Sequence, residues 1–217
     1  RFYMLQLGIN FILSYLVGSI SGSMVLGRLK GLDIRTMGSG NAGGTNALRS
    51  VGPLFALGVI FIDIGKGIFA VLIISKLVFI NELLIDKNTV SIVCGVAAVL
   101  GHVYPLYYNF KGGKGAGTLI GIVAALFPIS IPYVFISWLL VVITTGFVGL
   151  ATIVGSIVLV ITVYLFHAMG INSPLGYFSI SMALFILFTH KSNIIRMINN
   201  EENRFEKVMI FRNFFKK

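Results

Sequence analysis

The sequence predicts an all-α integral membrane protein, and three observations lead there. Of the 217 residues, 57% are hydrophobic and only 11% are charged, with a mean hydropathy of +0.96. A soluble domain carries roughly a quarter charged residues. Apolar runs cover residues 4–27, 54–80, 89–108, 117–143, 148–168 and 174–189, and about 20 residues of helix cross the hydrocarbon core of a bilayer. Basic residues crowd some connecting segments and avoid others. No polar linker or low-complexity stretch divides the chain, so residues 1–217 read as a single domain.

The first run lacks the basic leader and small-residue cleavage site of a secretory signal, so it is expected to be a span. The second contains Asp63 and Lys66 in "DIGKG". Charges inside a membrane are unfavourable unless they pair or serve a function, and an i, i+3 spacing lets these two meet as a structural ion pair. The third run holds Cys94, read as a small core residue, and ends at His102 in "GHVYP", read as a hydrogen-bonded packing residue. The fourth carries Pro128 and Pro132, each able to break or kink a helix, so it is one long kinked helix or two short ones. The sixth is short for a span.

Charge separates six crossings from seven. Arg28, Lys30, Arg35 and Arg49 follow the first run, and Lys111 and Lys114 follow the third. Lys191, Arg196, Arg204, Lys207, Arg212, Lys216 and Lys217 follow the last. Only Arg1, Lys76 and Lys87 fall on the other side. Seven crossings place the larger group in one compartment, the cytoplasm by the positive-inside rule. The expected architecture is seven transmembrane helices, two of them short, with the N-terminus outside and the C-terminus cytoplasmic.

That topology brings three polar stretches to one face. The first is "GSGNAGGTNALRSVGP", with Gly38, Gly40, Asn41 and Gly43 ahead of Thr45, Asn46 and Arg49. Glycines let backbone amides approach an anion. Thr45 or Asn46 would cap a short helix, and Arg49 offers a two-pronged phosphate donor. The second is "FKGGKGAGT", where Lys111, Gly112, Gly113, Lys114 and Gly115 precede a span. The third is "THKSNIIRM", where His190, Asn193 and Arg196 would share a face of a continuing helix. Arg35, outside the glycine run, is expected to be a bystander.

Singly, each stretch reads as a flexible connector or a topology determinant. Together, two of them with the same design, they point to a phosphate site. With seven acids in the chain, a two-metal site is not expected, nor any cofactor. The His-x4-Asp signature of the common glycerolipid acyltransferases and the P-loop pattern are both absent. The basic excess speaks for anionic membrane partners, not nucleic acid.

The segments "GSGNAGGTNALRSVG", "GHVYPLYYNFKGGKGAGT" and "HKSNIIRMINNEENRF", with "GSISGS" and "DIGKG", resemble the bacterial acyl-phosphate:glycerol-3-phosphate acyltransferases, the PlsY family. The resemblance implies a seven-helix inner-membrane enzyme without cofactor. It would move a fatty acyl group from acyl phosphate to glycerol 3-phosphate, giving lysophosphatidic acid in the first step of phospholipid synthesis. It further implies that Ser39 and Arg49 act from the first motif, that Lys111 to Gly115 bind phosphate, and that His190 and Asn193 act from the third motif. Glu202 would hold that last motif together. The chain departs from the family at Ser21, usually proline, at Asn200, usually glycine, and at Gly149, where many members carry a serine. Thr145 or Thr152 would then replace the missing hydroxyl. Two other readings stay open on residues alone: a transporter or channel for an anionic solute, with Asp63 and Lys66 lining its path, and a lipid phosphatase.

Overall fold

The computed structural model describes residues 2–78 and 86–210. Arg1, Arg212, Lys216 and Lys217, which enter the charge argument, lie outside the described residues, as does the end of the second apolar run. Among the described residues every regular element is helical. The chain packs as two compact units, Arg1–Pro128 and Ile129–Lys217.

In the first unit, α1 (Phe2–Gly18) and α2 (Gly22–Leu29) meet at a 43° bend. The first apolar run is therefore a broken pair and not one rod. After a loop come α3 (Gly44–Ser50) and α4 (Pro53–Leu72), the latter with proline at its first position, where the missing N–H is no loss. The carboxylate of Asp86 accepts from the Asn88 and Thr89 amides and caps α5 (Lys87–Val103). The 11-residue α6 (Ala116–Leu126) closes the unit.

Lipid supplies no hydrophobic drive for one helix to seek another, so close backbone approach at small residues takes its place. Two reciprocal glycine pairs provide it. A Cβ on Gly18 of α1 would lie 2.3 Å from the Ala98 carbonyl oxygen, and one on Gly101 of α5 would lie 2.3 Å from that of Tyr15. A Cβ on Gly67 of α4 would lie 2.4 Å from the Thr118 oxygen, and one on Gly121 of α6 would lie 2.1 Å from that of Ile64. These contacts seat α1 on α5 and α4 on α6.

The second unit comprises α7 (Ser130–Thr145), α8 (Val148–Phe166), α9 (Pro174–Thr189) and α10 (Lys191–Ile198). The fourth apolar run divides into α6 and α7, both short, with Pro128 in the break. α9 and α10 form a second bent pair, at 52°. Beyond α10, Phe205 donates to the Gly146 carbonyl and Ile210 to that of Ile143, both at 2.9 Å, while Arg204 stacks 4.7 Å from the Phe147 ring. Among the described residues, three helical segments are long and apolar enough to cross a membrane, or five if each bent pair is one span.

Candidate active site

Asn46 shapes the first glycine-rich loop. Its carboxamide is buried; Oδ1 accepts from the Ser39 amide at 2.9 Å and the Ser50 hydroxyl at 3.3 Å. Nδ2 donates to the carbonyls of Ile34, Met37 and Asn41 at 2.9–3.1 Å. Gly38, at φ +54°, passes so near that a Cβ there would sit 2.3 Å from Oδ1. The expected cap is displaced: α3 starts at Gly44 with Gly43 as its N-cap, so Thr45 and Asn46 lie within the first turn. Gly43 has no side chain, so α3 begins without a side-chain cap. Ser39, Gly40 and Arg49 are exposed. The amides of Ser39 and Gly40 are engaged, by Asn46 and by the Met37 carbonyl at 3.0 Å.

Arg35 is no bystander. Its guanidinium grips Asp33 at 2.7–3.1 Å and donates to the Tyr108 carbonyl at 3.2 Å, tying the first loop to the approach of the second. The same contact holds the Asp33 carboxyl below the usual carboxylate range.

The second loop departs from an amide cradle. The amides of Lys111, Gly112 and Gly113 donate to the carbonyls of Tyr108, Val103 and His102 at 3.1–3.2 Å. Glycine at 112 and 113 therefore reflects close packing against the end of α5. A Cβ on Gly112 would lie 2.0 Å from the His102 oxygen, and one on Gly113 would lie 2.2 Å from His102 Nε2. Gly115, at φ +92°, turns the chain into α6. Lys111 is exposed and Lys114 half-buried.

Beneath this loop lies a cluster that the sequence showed only in part. Lys66 Nζ stands 3.1 Å from Asp63 Oδ1, 2.8 Å from His102 Nδ1 and 2.7 Å from the Ile20 carbonyl oxygen. Asp63 Oδ1 also accepts from the Gly22 amide at 3.2 Å and lies 3.5 Å from His102 Nδ1. All three side chains are buried. The cluster joins α4 and α5 to the break between α1 and α2. His102 is thus the buried, hydrogen-bonded residue that the sequence led us to expect. Its partners are 36 and 39 positions away in sequence, which is why no spacing rule found them.

In the second unit, His190 stands at the kink between α9 and α10, so it is not on a continuing helix face with Asn193 and Arg196. Its Nδ1 lies 2.8 Å from the Ile186 carbonyl oxygen. That oxygen only accepts, so Nδ1 carries the proton, and in the neutral ring Nε2 carries a lone pair. Glu202 takes Asn193 Nδ2 at 2.8 Å and Arg196 Nε at 2.6 Å. Asn200 adopts φ +58° and makes the turn that returns Glu202 to α10. Gly149 of α8 packs under Asn193, where a Cβ would lie 2.8 Å from the Asn193 Cγ. The space that a serine would enter holds the Asn193 carboxamide. Thr145 and Thr152 direct their hydroxyls to the Val141 and Val148 carbonyls at 2.7 and 2.9 Å.

Three comparisons bear on this arrangement. A family model described as glycerol-3-phosphate acyltransferase matches residues 8–200. A protein of Aquifex aeolicus named glycerol-3-phosphate acyltransferase is 36% identical over 194 residues, covering 89% of this chain and 96% of that protein. The crystal structure of PlsY (YgiH), an integral membrane glycerol 3-phosphate acyltransferase, in its glycerol 3-phosphate form superposes with a TM-score of 0.81 at 32% identity. That match covers 97% of this chain and 99% of the crystallised one. The lysophosphatidic acid form gives a TM-score of 0.78 at 33% identity, over 92% and 95% of the two chains.

Proposed function

The chain belongs to the glycerol-3-phosphate acyltransferase family, and from that premise we propose how its residues carry out acyl transfer from acyl phosphate. The observation that carries the reading is the near full-length likeness to a structure solved in a glycerol 3-phosphate form. The 1-hydroxyl oxygen of glycerol 3-phosphate bonds to the acyl carbon, and the bond from that carbon to the phosphate oxygen breaks. Lysophosphatidic acid and inorganic phosphate leave, and the hydroxyl proton goes to a phosphate oxygen. Acyl phosphate is already an activated anhydride, so orientation and charge stabilisation supply most of the rate.

The assignment of residues is ours. Arg49, Lys111 and Lys114 hold the two anions, with Ser39, Gly38, Gly40, Asn41, Gly43, Thr45 and Gly115 beside them. His190 and Asn193, the latter fixed by Glu202, position the glycerol 3-phosphate so that its hydroxyl faces both the acyl carbon and the phosphate oxygen that takes its proton. Asn46, Gly112 and Gly113 act as shaping residues, since their polar groups are engaged within the chain. Asp63 and Lys66 satisfy one another inside the first unit, which removes the reason to read them as a solute path. We take the 217 residues as a single acyltransferase domain. Seven crossings put the N-terminus outside and the motifs at the cytoplasmic face of the bacterial inner membrane. Acyl phosphate and membrane lipid reach the site from the bilayer, and glycerol 3-phosphate from the cytoplasm.

The test is incubation of the purified protein with acyl phosphate and radiolabelled glycerol 3-phosphate. Labelled lysophosphatidic acid should form without added metal and should not form from acyl-CoA. Complete loss with a chelator, restored by magnesium, would overturn the metal-free mechanism, and no product from acyl phosphate would overturn the donor.

A further inference from the structure

The turn that carries Glu202 and the corner between α7 and α8 are joined twice. One link is direct: Gly149 of α8 packs under Asn193, where a Cβ would lie 2.8 Å from the Asn193 Cγ. The other runs through the chain beyond Glu202. The Phe205 amide donates to the Gly146 carbonyl and the Ile210 amide to that of Ile143, both at 2.9 Å. The last carbonyls of a helix, Ile143 among them here, find no partner within it, so these bonds fasten residues 205–210 to the end of α7. Between them the chain folds back, with Val208 donating to the Phe205 carbonyl and Met209 to that of Glu206, both at 3.2 Å.

Side chains grip the same corner. Gly146 adopts φ +76°, and a Cβ there would lie 2.7 Å from Met209 Sδ and 3.1 Å from Arg204 Cβ. Met209 is buried. The Arg204 guanidinium stands 4.7 Å from the centre of the Phe147 ring, a cation–π distance. On the other flank, the Glu202 amide donates to the Arg196 carbonyl at 3.1 Å, and its carboxylate takes Asn193 Nδ2 at 2.8 Å. A closed circuit results, from Asn193 through Glu202 and Arg204 to Phe147 and Gly149, and back to Asn193. A single residue, Asn203, separates the carboxylate that holds Asn193 from the cation that holds the corner. Little slack lies between them.

We propose that residues 204–210 are a clamp that positions Asn193: seated on the α7–α8 corner, they hold the Glu202 carboxylate against the Asn193 carboxamide. They thereby fix the orientation that Asn193 gives to glycerol 3-phosphate. Arg204, Phe205 and Met209 are positioning residues, because they act through Glu202 without touching substrate. The inference rests on the proposed reading of Asn193 as a residue that orients this substrate.

Two variants remove the clamp and leave Asn193, Arg196 and Glu202 in place: a chain ending at Asn203, and Arg204→Ala. In lipid nanodiscs, the amides of Glu201 and Glu202, both bonded to the Arg196 carbonyl, should exchange hydrogen faster in each variant than in wild type. In the shortened chain kcat should fall roughly 10- to 100-fold, the scale of a misplacement of about 1 Å, and less in Arg204→Ala. KM for acyl phosphate, assigned to basic residues of the first unit, should stay unchanged. A tail that only covered apolar surface would lower Tm without separating kcat from that KM. Arg204→Lys keeps a cation for the Phe147 ring and should recover most of the rate. In an Asn193→Ala background neither change should lower kcat further, because the clamp works through that side chain. Losses that add in full to those of Asn193→Ala would overturn the proposal. An impaired Asn193→Ala protein beside clamp variants with wild-type exchange and kinetics sinks the clamp alone, whereas full activity in Asn193→Ala sinks the reading on which it rests. If the shortened chain does not fold, Arg204→Ala decides.

Discussion

Arg49 and Arg35 lie 14 residues apart with the same charge, yet they should answer substitution for different reasons. Arg49 is exposed in the last turn of α3. If it grips a phosphate in the transition state, Arg49→Lys keeps the charge but loses the planar fork. The expected drop in kcat/KM is about 10- to 150-fold, with Arg49→Ala lower still. Arg28, exposed at the end of α2, is the control, and equal losses in Arg28→Ala would mean that only bulk surface charge matters. Arg35 acts through its anchor to Asp33 and Tyr108. Arg35→Ala should release the loop and increase proteolytic cleavage between residues 30 and 43; an unchanged digestion pattern would refute the anchor. Because the folded state lowers the Asp33 pKa, the anchor contributes above the ordinary carboxylate pKa and fades as pH falls through the lowered one. Asp33→Asn should remove that acid dependence.

At the scale of elements, the glycines that seat α1 on α5 should be intolerant where a glycine elsewhere on α1 is not. Gly101→Ala would push a methyl into the Tyr15 carbonyl, whereas nothing lies within 4 Å of a Cβ on Gly8. Gly101→Ala should destabilise by about 1–3 kcal/mol as an overpacked contact, while Gly8→Ala should be neutral or better. Thermal unfolding in detergent compares them, and equal Tm values would deny the close approach. Gly149→Ser tests α8 against α10 in the same way. The added side chain must displace Asn193 and loosen its bond to Glu202, so activity should fall together with Tm. A fully active, fully stable Gly149→Ser protein would show that Asn193 has room to move.

For the whole molecule, the open quantity is the number of crossings. Seven spans would gather 13 basic residues on one side, and α6 and α7, separated at Pro128, are the two short helices that such a count needs. Single cysteines at Ser39, Ala116 and Ser192, in a Cys94→Ala background, should resist an impermeant thiol reagent in intact cells and react once the membrane is opened. Labelling of Ser192Cys alone in intact cells would restore six crossings.

Membrane class, helical build, the break at Pro128 and the three motif segments were all legible in the sequence. Each depends on what a residue prefers by itself or among near neighbours: transfer into lipid, a missing N–H, a left-handed turn such as that of Asn200. The Asp63–Lys66 pair was legible for the same reason, since one helical turn brings the two together. Which polar atoms meet across the fold was not. Asn46 looked like a ligand and proved to be the hub of its loop; Gly112 and Gly113 looked like amide donors and proved to be the places where backbone packs on His102. The partners of His102 depend on how closely α4 and α5 approach. Tertiary structure alone decides such contacts, because a hydrogen bond requires an acceptor within about 3 Å, and sequence separation does not determine that distance.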